Sequence, residues 1–211
     1  MNHEDFQPRR PAMLDPEVAE QIPGDEDPAI TTSAATTSAH ALLGESDEEF
    51  TAEQVQQLAH VIQTEGVDTV SALWARSSAG SLAGQLWRLY LLKQWYDREP
   101  ETIYARYHDG QKSLSEYLAK TGRHLPGLET TMQRIGDLMA GKGTSNLAAL
   151  LAAAGTLMRV LAAGVCCGPE WITDDHDELA DQVTTRAGAL IKTSDELLAG
   201  ARKAASPEGL V

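Results

Sequence analysis

The chain has 211 residues, with 31 Asp and Glu against 17 Lys and Arg, a net charge of −14, and two cysteines. One domain with an additional tail fits that length. The adjacent pair Cys166-Cys167 rules out a disulfide framework, and the acid excess disfavours non-specific binding to nucleic acid or anionic membranes.

Charge is uneven along the chain. Residues 1–49 carry twelve acids and two arginines, residues 50–169 ten acids and eleven bases, and residues 170–211 nine acids and four bases. Acidic ends therefore flank a near-neutral middle. The opening MNHEDFQPRRP lacks the basic-then-apolar layout of a secretory signal. With the cysteine usage, this leads to an expected cytoplasmic location.

Residues 1–48 are acidic and Pro-rich, and include the low-complexity run TTSAATTSA. Without apolar periodicity they bury too little to offset the entropy of ordering, so a disordered arm is expected. Within it Leu14, Val18 and Ile22 share one helical face, enough for a transient turn on a partner. The hydroxyls from Thr31 to Ser38 are expected to be accessible to phosphorylation.

The folded domain is expected over residues 49–205. FTAEQVQQLAHVIQTEG reads as a helix with Phe50 as staple, Thr51 as N-cap, Gln54 in the capping-box position and Gly66 as the stop. A short helix over 68–76 presents Val70, Leu73 and Trp74, and Ser77 to Gly80 form a loop. Ser81 caps a helix over 82–96. Seven of the chain's eleven aromatics fall between Trp74 and Tyr107. At 100° per residue, Trp87, Leu91 and Trp95 follow one another, and Leu92, Tyr96, Leu89, Leu82, Leu86 and Tyr90 carry apolar surface round most of the circumference. Such a helix is expected at the centre of a bundle.

Asp97, with Pro100 in the first turn, starts a helix to Tyr107 that ends at Gly110. Helices over 113–120 and 128–139 follow. NLAALLAAAGTLMRVLAAGVCCG, capped by Thr144 or Ser145, has the length of a membrane span. Arg159 near its middle and a stripe from Leu147 to Val165 favour a helix packed inside a protein instead. A last helix over 175–204 has an acidic first turn and an inward stripe of Leu179, Val183, Ala187, Leu190, Ser194, Leu197 and Ala201. Residues 206–211 read as a disordered tail. The fold class is all-α: an irregular bundle of six to eight helices behind an acidic disordered arm.

Trp74-Ala-Arg-Ser77, Leu82, Gly84, Leu86-Trp-Arg-Leu-Tyr90 and Trp95, followed by EPETIYARYHDG with Arg106-Tyr107 and Gly110, resemble a signature of a family of uncharacterised small helical bacterial proteins. Ser78 and Ala83 depart from it where prolines are expected. The resemblance covers about forty residues. It implies a compact helical domain and brings no catalytic residue with it.

Chemistry-bearing motifs are sparse. Gly136, Gly141 and Lys142 have Walker A spacing, but Gly143 stands where Ser or Thr must hold magnesium, and no strand precedes them. None of His60, His108, His124 or His176 has an acid three residues before it, as a bundle di-iron site requires. TDDHDE at 173–178 reads as helix capping. Cys166 and Cys167 read as small buried residues, and no nucleophile motif is present. No cofactor, metal or catalytic residue is assigned, and the expected function is a non-enzymatic protein-interaction or adaptor protein, with a homodimer as one arrangement. Arg76, Arg88, Tyr90, Tyr104, Arg106 and Tyr107 are residue types enriched in binding hot spots and are the candidate partner-binding residues. One alternative is a transcription-associated DNA-binding regulator built on the helices over 100–142, with Arg106, Lys112, Lys120 and Arg123 on one face. Another is a small-ligand binder or enzyme with a pocket among Trp74, Trp87 and Trp95.

Overall fold

The computed structural model describes residues 28–45, 51–142, 146–165 and 178–210. Among them are nine α-helices and no strand: α1 Pro28–Leu43, α2 Ala52–Glu65, α3 Asp68–Trp74, α4 Leu82–Arg98, α5 Pro100–Ser113, α6 Ser115–Thr121, α7 Leu128–Met139, α8 Leu147–Val165 and α9 Glu178–Ala204.

Several boundaries follow from local chemistry. Thr51 and Gln54 form the reciprocal capping box at the start of α2, and Gly66 ends that helix at φ +93°. Ser81 Oγ accepts the Gly84 N–H and starts α4. Helix α4 runs on to Arg98, so Asp97 lies in its last turn, bonded to Lys93, and Glu99 takes the N-cap position of α5. Asn146 caps α8 by accepting the Ala149 N–H at 2.8 Å. The caps expected at Thr144 and Ser145 lie outside the described residues.

Helix α1 is the first departure from the sequence reading, because composition placed its residues in the disordered arm. Its buried face is Ala35, Ser38, Ala39 and Leu42, a helical stripe built of residues too small to register as an amphipathic pattern. Ser38 donates to the Ala35 carbonyl and accepts the indole N–H of Trp74 at 2.9 Å. Its hydroxyl is therefore enclosed rather than accessible. The expectations for residues 1–27 lie outside the described residues. At the other end, Ser206–Leu210 continue as turns, and Leu210 packs on the core rather than trailing as a tail.

Helix α4 lies at the centre of the bundle as expected, touching α1, α3, α5, α7, α8 and α9, and α8 is buried beside it. Leu150, Leu151, Ala154, Leu157 and Leu161 are fully buried, and α8 packs most extensively on α9 and α5. Each buried leucine contributes about 1.5–3 kcal/mol. The reason for the close packing of α8 is the absence of side chains at the crossings. A Cβ on Gly164 would overlap the backbone carbonyl of Arg106, and one on Gly110 would overlap that of Val160. The α5–α8 pair thus meets backbone to backbone through two reciprocal glycines. On the α9 side, Ser194 donates to the Gly155 carbonyl at 2.6 Å. Of the expected inward stripe on α9, Ala187, Ser194, Leu197 and Ala201 are buried and Leu190 half-buried, while the side chains of Leu179 and Val183 lie outside the description. Helix α8 is the one described helix long and apolar enough to cross a membrane, and more than half of it is buried inside the bundle.

Candidate functional site

Helices α4 and α9 run antiparallel, and the distance between them is set at one end by a buried polar clip. Gln85 is fully buried; its Nε2 donates to the carbonyls of Ala79 and Glu196, and its amide lies so close to Gly200 that a Cβ there would overlap it. Gln85 Oε1 has no hydrogen-bond partner among the described residues. One turn further, Arg88 Nε donates to Glu196 Oε2 at 2.7 Å, and its other arm donates to the Gly84 carbonyl at 2.7 Å. Both charges are largely withdrawn from water, which gives the pair more weight than a surface ion pair.

Beyond that pair a groove opens along α4. A cavity of about 250 Å³ is lined by Trp87, Leu91, Leu92 and Trp95 on α4, Met158 on α8, and Thr193 and Glu196 on α9. A second, of about 330 Å³, continues it past Trp95 to Glu99, Arg106, Ala189 and Leu190. Trp95 is shared by both. Its ring faces the Arg106 guanidinium at 5.3 Å, a cation–π contact of about 0.5–1 kcal/mol at such a site. Trp87 stacks on Tyr90 with ring centroids 5.4 Å apart. Between the two half-buried tryptophans, Leu91 is 46% exposed. The spacing Trp87, Leu91, Trp95 makes this a continuous apolar stripe of about 12 Å, from a rise of 1.5 Å per residue.

Of the six candidate partner-binding residues, Arg88 and Arg106 border this groove. The others fasten neighbouring helices. Tyr90 donates to Asp68 Oδ1 at 2.7 Å, and burial and the carboxylate together push its phenol pKa up. Tyr104 and Tyr96 share a hydrogen bond at 3.0 Å, and Tyr104 donates to Glu129 at 2.9 Å. The bond to Tyr96, then that to Glu129, holds the Tyr104 phenol protonated well above its ordinary range. Tyr107 donates to the Pro126 carbonyl at 2.8 Å, and burial raises its pKa. Arg76 is exposed just after α3. The structure does not gather the six into one site.

Of the three tryptophans considered for a pocket, Trp87 and Trp95 meet in the groove, whereas Trp74 is fully buried against Ser38. The basic residues of the DNA-binding alternative are dispersed. Arg106 faces Trp95, Lys112 and Arg123 are exposed, and Lys120 pairs with Glu116. Helix α7 buries Leu128, Met132, Ile135 and Leu138 and presents Glu129, Gln133 and Asp137 with Arg134 on its other side, which is not a basic reading face. Lys142 bonds Asp137 at 2.8 Å, and that bond first, then Gln133, lowers the Asp137 pKa. Gly141 simply terminates the α7 region at φ +69°. No group of His, Cys, Asp and Glu poised for a metal occurs among the described residues; Cys166, Cys167 and His176 lie outside them.

Leu91, Met158, Thr193 and Leu190 were missed as site residues by residue-type reasoning, which favours Arg and Tyr. The signal that could have found the groove is the succession of Trp87, Leu91 and Trp95 round one edge of a helix with more apolar surface than one side can bury. No family model, curated protein or solved structure matches the chain.

Proposed function

We propose that this protein is a non-enzymatic interaction or adaptor protein of the bacterial cytoplasm, and that it takes an amphipathic helix of a partner protein into the groove between α4 and α9. The observation that carries this reading is Leu91, 46% exposed between two half-buried tryptophans over a floor that includes Met158. Large apolar side chains held open along about two helical turns have the dimensions a partner helix fills with i, i+3 and i+4 anchors. Trp and Arg at the two ends are the residue types that dominate binding energy once water is excluded. Arg88 is already tied to Glu196, so it contributes a rigid edge rather than a new ion pair.

The test is a tagged pull-down from nuclease-treated lysate with three forms of the full chain. The wild type should retain a stoichiometric protein partner, and Leu91→Asp should lose it with its helical circular dichroism unchanged. Ile191→Asp should keep it, because Ile191 is equally exposed at 48% and lines neither cavity. Retention by Leu91→Asp would remove the groove from the reading. A second reading uses the same geometry: the cavity of about 330 Å³ beside Trp95 has the size of a modest small-ligand site. Thermal stabilisation by an apolar metabolite would favour that reading.

A further inference from the structure

Helix α1 lies on α2, α3, α4 and α7. What it brings to that interface is slight. Its buried residues are Ala35, Ala39, Ala41, Ser38 and a single large side chain, Leu42. The helices beneath present much larger groups in the same apolar cluster, among them Ile62, Val70, Trp74 and Leu82. Among the described residues, a buried polar link joins the two sides: the Trp74 indole N–H donates to Ser38 Oγ at 2.9 Å.

The sequence of α1, PAITTSAATTSAHALL, gives it little stability of its own. Four threonines offset the propensity of its five alanines, and no ion pair spans one turn within it. A sixteen-residue helix of this composition forms in water because it is docked. The rest of the bundle is built differently. Helix α8 holds four fully buried leucines and touches α4, α5, α7 and α9.

We infer that α1 is a releasable strap, undocking as a unit while the remaining helices stay folded and uncovering Trp74 and its apolar surroundings. The Ser38–Trp74 bond is the latch. Its loss leaves an indole N–H buried without an acceptor while α1 is docked, so a change at Ser38 destabilises the docked state relative to the undocked one.

The experiment is native-state hydrogen exchange by mass spectrometry on the full chain, comparing peptides within residues 33–43 and 150–162 over a series of low urea concentrations. The α1 amides should exchange at least about 100-fold faster than those of α8 and show little dependence on urea, the mark of a local opening that exposes limited surface. Ser38→Ala should speed α1 exchange about tenfold further and speed α8 exchange, which requires opening of the whole domain, by a similar factor, with their urea slopes still apart. Exchange of α1 at the rate and urea slope of α8 would overturn the inference, because the helix would then open only with the whole domain. Exchange at the rate of a free chain would also overturn it, since α1 would not be docked. Unchanged α1 exchange in Ser38→Ala would remove Ser38 as the latch and overturn that part of the inference.

Discussion

The backbone crossing of α5 and α8 is a feature of this fold with little tolerance. In Gly164→Ala the new Cβ stands 2.7 Å from the Arg106 carbonyl carbon and 2.9 Å from its Cα, and closer still to the oxygen, where ordinary contact begins at 3.4 Å. Neither obstacle is a side chain that can rotate away. Helix α5 has to retreat by at least about 0.7 Å, which also loosens the reciprocal contact of Gly110 with Val160. Overpacking of this kind costs about 3 kcal/mol, offset by about 1 kcal/mol from the better helix propensity of alanine. The net expectation is a loss of about 2 kcal/mol or more, a large share of a domain's stability. Gly188→Ala is the matched control. It too lies within a helix, but nothing stands within 4 Å of its added Cβ, so it should gain about 0.5–1 kcal/mol. Urea melts followed by circular dichroism at a common slope measure both. If Gly164→Ala falls within about 0.5 kcal/mol of wild type, or shifts in the same direction as Gly188→Ala, the close crossing is not what holds α5 on α8.

Three further outcomes follow from the same geometry. Ser38→Ala should lower stability or α1 docking by about 1–3 kcal/mol through the orphaned Trp74 N–H, while Ser33→Ala, at an exposed position of the same helix, should change little; equal effects would contradict the latch. Arg159→Ala should cost no more than about 1 kcal/mol by urea melt, because its 2.6 Å pair with Asp195 is more than half exposed on both sides. Tyr90, Tyr104 and Tyr107 all have phenol pKa values raised from 10.0, so the stability they contribute is complete below about pH 10 and is lost as pH rises toward their folded values. Absorbance titration at 295 nm should show fewer than the chain's five tyrosines ionising near pH 10 before unfolding, with a falling urea midpoint above it; uniform titration and a flat midpoint would contradict the shifts.

How far the fold is legible depends on the size of the side chains that build it. Helix α2 is readable because Thr51, Gln54 and Gly66 spell out its ends, and Val55, Leu58 and Ile62 its buried side. Helix α4 is equally readable as an element. Its central place is readable too, and it touches six other helices, whereas the close crossings of the Ala- and Gly-rich α8 are not, because small residues carry little signal. Helix α1 is hidden for a related reason. Alanine, serine and threonine contribute little hydrophobic signal, and only the partner across the interface, Trp74 at 36 positions' distance, shows that Ser38 is inside. The groove falls between these cases. Its α4 wall is visible as the succession Trp87, Leu91, Trp95, but the α9 wall and the Met158 floor depend on a helix pairing that no local pattern encodes. Residue-type preferences for Arg and Tyr pointed instead to Tyr90, Tyr104 and Tyr107, whose hydroxyls are occupied in joining α4 and α5 to their neighbours.

Site-specific photocrosslinking from position 91 in intact cells tests the central claim most directly, with position 117 as reference because Tyr117 is 50% exposed and belongs to neither cavity. A discrete protein adduct from position 91, absent from position 117, is the result expected if the α4–α9 groove receives a partner helix. The same adducts from both positions, or none from position 91 above that reference, would contradict it.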